Sequence, residues 1–182
     1  MYTWKSYYIV QTDYQHWANE TLFSALDHLH PDAIGSDQGL LFGSIHHTLD
    51  HMVALGSVWL ARLKGEHLEI DFKSIHHGEW RDLKNALRRE ARRLQAFLEA
   101  QPAEFFDQQI TFIGPEGKAH TLWVRDALSH LFTEFAHYRG QATAAATRLG
   151  APHPEMGFAG YRREMERLLN ETQADQPSAA MG

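Results

Sequence analysis

Thirteen histidines in a 182-residue chain without cysteine narrow the chemistry before any fold is assigned. With no thiol there is no disulfide, no thiolate metal site and no cysteine nucleophile. Imidazole and carboxylate remain as metal-ligating and proton-handling groups, and position must decide which of them matter. Two clusters stand out by spacing. At about 100° per residue, His130, Glu134, His137 and Gln141 share one narrow sector of a helix. Tyr138 lies beside Glu134 on the adjoining apolar stripe. Elsewhere His47 and His51 are four apart and project from one helix face, while Asp50 points away from them.

Charged groups at the margin of a core are paired, protonated or metal-bound, because burying them alone costs several kcal/mol. If the two helices are neighbours, His51 meets Glu134. Two imidazoles and a carboxylate suit zinc, nickel, iron or copper. An open fourth position leaves room for substrate, or for a water whose lowered pKa makes it a nucleophile. Equally, Glu134 and His137 at three-residue spacing make a helix-surface pair, and His47 and His51 can cap or hydrogen-bond within the core. Spacing leaves both readings open. One Glu-x-x-His falls short of the pair that di-iron bundles carry. No Gly-rich phosphate loop is present, and Ser44, Ser57 and Ser129 lack a strand-turn-helix elbow. The loop histidines His67, His76 and His77 are expected in solvent.

The elements that must position these residues are helical. Val10, Tyr14, Trp17, Thr21 and Ala25, with Ala18, Leu22 and Leu26 beside them, predict an amphipathic helix over 10–29. A second helix is expected over 40–63, with one stripe of Ile45, Leu49, Met52, Gly56, Trp59 and Leu63. His47, His51, Leu55 and Val58 form a second stripe, so this helix is buried on more than one side. The polar segment 66–78 reads as a long crossover. A third helix over 79–100 turns Trp80, Leu83, Leu87, Leu94 and Phe97 inward and its arginine run (Arg88, Arg89, Arg92, Arg93) outward. Residues 110–122 read as a short hairpin turning at Gly114–Gly117. The fourth helix, 123–149, alternates three- and four-residue steps through Leu128, Leu131, Phe135, Tyr138, Ala142, Ala145 and Leu149, the periodicity of bundle packing. A shorter helix follows over 158–169. Trp17, Trp59, Trp80 and Trp123 sit at core spacing. The expected architecture is an all-α four-helix bundle with a long crossover. One domain spans 1–169, and 170–182 is a polar tail expected to be disordered.

Composition agrees with one globular domain: 43% hydrophobic and 22% charged residues. The net charge of −6 and the glutamate interrupting the arginine run argue against a duplex-binding surface. No stretch approaches the roughly 18 apolar residues of a membrane span, and the first residues lack an apolar signal core. A cytoplasmic protein is expected.

Several motifs now fall into one order. Tyr14, Trp17, Ala18, Asn19 and Leu22 resemble a W-A-N-x-x-L opening helix. Phe42 to His51, followed by Trp59, Leu60 and Arg62, resembles a second helix of the same family. His137-Tyr138-Arg139-Gly140-Gln141, leading into Leu149, Gly150 and Pro152, is the strongest piece. Together, over about residues 8–168, they resemble the DinB family within the wider group of DinB and YfiT-like metalloenzymes. The resemblance implies a four-helix bundle, commonly a homodimer, that binds a divalent transition metal (zinc, nickel, iron or manganese). It implies one ligand from the second helix and two from an H-x-x-x-H on the fourth. Carried over, these positions are His51, Glu134 and Tyr138, and the last two depart from histidine. Glutamate still ligates such metals, whereas Tyr138 would have to lose a proton with a pKa near about 10. The site could instead use His51, Glu134 and His137, with His47 near, or bind nothing. The functions implied are a metal-dependent hydrolase or thiol transferase acting on a small molecule. The alternative is a non-catalytic, ligand-binding or stress-related bundle with a degenerate site. A third possibility is an interior cavity that takes an apolar or thiol ligand without turnover.

Overall fold

A computed structural model describes residues 3–174. Its long helices are α1 (Trp4–Leu26), α3 (Ile45–Leu63), α4 (Trp80–Ala100), α5 (Val124–Arg148) and α6 (Phe158–Ala174), with a single-turn helix α2 (Pro31–Gly35). Two antiparallel hairpins complete the fold: β1 (Asp37–Leu40) with β2 (Gly43–Ser44), and β3 (Gln109–Ile113) with β4 (Ala119–Trp123). Helices α1, α3, α4 and α5 form the bundle. Both α1 and α3 pack against α4 and against α5.

Sequence chemistry sets the helix boundaries. Helix α1 starts six residues before the expected Val10, because Thr3 and Ser6 make a reciprocal capping box that satisfies first-turn N–H groups. The expected second helix is shortened at its start. Gly39 and Gly43 adopt φ of 66° and 77°, which turns residues 37–44 into the β1–β2 hairpin. The Ser44 side chain then accepts the His47 N–H at 3.0 Å and opens α3. Helices α4 and α5 and the β3–β4 hairpin fall where the pattern predicts, and the hairpin turns through Gly117 at φ 75°. Helix α6 runs to Ala174, past the expected end at Leu169, so 170–174 is helical rather than tail. The remainder of the expected disordered tail, 175–182, lies outside the described residues.

The α3 stripe is buried along its whole length, as expected, from Ile45 at 0% exposure to Leu63 at 4%. On α1 the expected Ala18, Leu22, Ala25 and Leu26 are buried, but the core face continues through Tyr8, Thr12, Gln15, Asn19 and Phe23 rather than through Val10, Tyr14 and Trp17. Tyr14 and Trp17 instead meet α6: Tyr14 lies 5.3 Å from Phe158, Trp17 lies 5.6 Å from Tyr161, and the Trp17 indole N–H donates to Glu164. Trp123 is another departure. It stands 39% exposed at the end of β4, its ring under the Arg125 guanidinium, because the chain leaves the strand there rather than entering the core. No helix among the described residues is long and apolar enough to cross a membrane.

Candidate metal and ligand site

Helix α3 carries two imidazoles one turn apart and packs directly on α5, so the neighbour relation needed for His51 to meet Glu134 holds. His51 is 9% exposed and boxed by rings. Phe42 stacks on it with centroids 4.0 Å apart, Phe72 lies at 5.1 Å, and Tyr138 meets it edge-on at 4.9 Å. Burial among these rings and the neighbouring His47 push its pKa down to about 4, against the opposing pull of the Glu134 and Asp50 charges. His51 is therefore neutral at pH 7, with a lone pair available to a metal or a proton donor.

Two ring nitrogens here are buried without a hydrogen-bond partner, His51 Nδ1 and His47 Nε2. Most buried polar atoms are paired, so each such atom calls for a ligand or a reason. Both rings line a groove of about 540 Å³ whose other walls are Leu41, Phe42, Phe72 and Lys73. Leu41, at 76% exposure, marks its open rim.

The α5 candidates behave differently from one another. Glu134 is half-buried, and its charge reaches His51. Tyr138 is buried. Desolvation first, then the charge of Glu134 and a hydrogen bond to it, push the phenol above its ordinary pKa, which keeps the hydroxyl protonated. His137 is exposed and accepts an N–H of Gln141 at 2.7 Å, so its ring is held along α5. His130 lies further along α5, against the edge of Trp59 at 5.1 Å. Among the described residues no three His, Asp or Glu side chains stand as a group able to hold a metal ion. The His47 and His51 ring nitrogens are the unpaired donors at this groove, and the Glu134 charge acts on His51. His137 and Tyr138 are engaged elsewhere or protonated.

The crossover is tied down beside this site in a way that spacing did not reveal. Asp50 is 1% exposed. Its two oxygens accept the His77 Nδ1–H and the His76 backbone N–H, each at 2.7 Å. His46 in turn donates from Nε2 to the His77 carbonyl. His76 and His67 are exposed as expected, but His77 is a docked side chain at 25% exposure, correcting the expectation that it is simply solvated. The signal in the sequence is a carboxylate on the buried helix with no lysine or arginine in its own turn. A loop imidazole supplies the partner. The same crossover carries Phe72 onto His51.

Comparison with known families agrees with this arrangement of motifs. The DinB family's sequence profile matches residues 3–173. The chain belongs to the DinB family. Among curated proteins, none matches it.

Proposed function

We propose that the protein is a metal-dependent enzyme of DinB type, acting on a small molecule in the groove beside His51. The observation that carries this reading is the pair of unpartnered, buried ring nitrogens on His47 and His51 at one groove. His47 and His51 would be the nitrogen donors and Glu134 the carboxylate for zinc, nickel, iron or manganese. Bound there, such a metal supplies a Lewis acid and lowers the pKa of a coordinated water or thiol. The protein's own contribution is to keep His51 neutral by burial, to orient its ring between Phe42 and Phe72, and to limit water around it. Tyr138, held protonated by burial first and then by Glu134, gives its proton to a hydrogen bond with Glu134 and keeps an oxygen that can accept a hydrogen bond from a substrate N–H or O–H. Hydrolysis and thiol transfer both suit this set. By family analogy the enzyme would work as a cytoplasmic homodimer, and light scattering should then return about twice the 20.9 kDa chain mass.

A second reading draws on the replacement of two family ligand positions by Glu134 and Tyr138 and on the lack of a preformed three-residue group among the described residues. Under it the groove binds a small molecule without turnover. Substitution separates the two. The enzyme reading expects His51→Ala and His47→Ala each to lower metal occupancy at least about tenfold while leaving the helical circular-dichroism signal intact. Unchanged metal content in both variants would exclude these ligands.

A further inference from the structure

Away from the groove, the centre of the bundle holds charges that the proposed function does not use. Arg139 is 2% exposed. Its Nη1 donates to Asn19 Oδ1 at 3.3 Å, its guanidinium lies over the Tyr14 ring, and its Nη2 has no partner. Burial lowers its pKa to about 10, which leaves it charged at neutral pH. Glu90 is 6% exposed and reaches inward from the arginine run of α4. Burial pushes its carboxyl above the usual range, against the Arg93 charge and the hydroxyl of Ser57; one oxygen accepts from Arg93 at 2.9 Å, and the other, Oε1, has no well-formed hydrogen bond. Gln15 on α1 spends its amide N–H on the Gln11 carbonyl at 3.2 Å, which fixes the amide orientation and leaves Oε1 unpaired. All three side chains line one interior cavity of about 20 Å³, walled on its apolar side by Met52, Leu94 and Phe135.

The size and the chemistry of this cavity select its occupant. A single water needs roughly 10–15 Å³ on this measure, and a metabolite needs far more. The unpaired set is one donor, Arg139 Nη2, and two acceptors, Glu90 Oε1 and Gln15 Oε1. An anion would face two acceptor oxygens, and a metal cation would face the guanidinium. Only a molecule that accepts one hydrogen bond and donates two matches all three. Buried waters make about three hydrogen bonds, and this set offers that number.

We propose that this cavity is a structural hydration site in which one water accepts from Arg139 Nη2 and donates to Glu90 Oε1 and Gln15 Oε1. The water joins α1, α4 and α5 at the bundle centre and links Arg139 to Glu90. Gly56 supports this placement from α3, since a Cβ there would come within 2.9 Å of Glu90 Cγ. The inference is independent of the metal reading.

A high-resolution crystal structure of the full chain tests it. The expected result is one discrete solvent peak within hydrogen-bond distance of all three atoms. A featureless cavity, a peak that misses any of the three, or density for a larger molecule would overturn it. A thermodynamic cycle on Gln15→Leu and Glu90→Leu, conservative enough in volume to fold, gives a second reading. A shared water couples the two, so the double variant's unfolding constant should depart from the product of the single effects by at least about threefold. Agreement with that product would count against the water.

Discussion

His51 shows what burial does to a single group. Its pKa falls from an ordinary 6.5 to about 4, chiefly through desolvation and then through His47. In metal-free protein the unfolded chain takes up this proton between those two values while the folded chain does not. The folded state therefore loses stability as pH falls from 6.5 toward 4, by up to about 3 kcal/mol. Urea unfolding across that range should show the loss, and His51→Phe should flatten it. An unchanged slope in the variant would assign the acid sensitivity to other groups. Gly56 gives a steric counterpart. A Cβ on it would lie 2.9 Å from Glu90 Cγ and 3.3 Å from Phe135 Cζ. Gly56→Ala should destabilise by about 1–3 kcal/mol through overpacking, against the gain in helix propensity that alanine usually brings. A rise in the urea midpoint would contradict the packing account.

At the scale of elements, the crossover after α3 is long and exposed for most of its length, yet it is held at His76–His77 by Asp50 and His46. A carboxylate that accepts two hydrogen bonds in the core is costly to remove, because the donors it satisfied are left behind. Asp50→Ala should release this segment, raising hydrogen exchange at the His76 amide by more than about tenfold and lowering stability by roughly 2–4 kcal/mol. Protection at His76 that survives the substitution would refute the latch. Which long helices exist was legible from periodicity, though the single-turn α2 at Pro31–Gly35 was not: Trp80–Ala100 and Val124–Arg148 stand almost where spacing puts them. The misjudged starts of α1 and α3 share a cause. Thr3 capping and the two left-handed glycines before α3 are local backbone effects that a run of apolar residues masks. The core face of α1 was hidden differently. Thr12, Gln15 and Asn19 are polar by type, and only the buried charges of Glu90 and Arg139 make an inward-facing polar stripe sensible.

For the whole molecule, the fold separates two polar sites. The water-sized cavity between α1, α4 and α5 is too small for a metabolite. The groove at His51 is open and large enough for a small molecule. Family membership was readable from motif order, whereas the α3–α5 packing stood only as a condition until the fold supplied it. The fate of each α5 residue was not, since a helical wheel gives direction but not partners. It could not tell that Gln141 takes His137, or that Glu134 acts on Tyr138. On the proposed function, the unpaired nitrogens of His47 and His51 serve a metal. The most direct test is elemental analysis of protein purified without a histidine tag, after incubation with nickel, zinc, iron or manganese and removal of free metal. The account predicts about one metal per chain, removable by chelator and lost in His51→Ala. Less than about 0.1 metal per chain for every one of the four would contradict it.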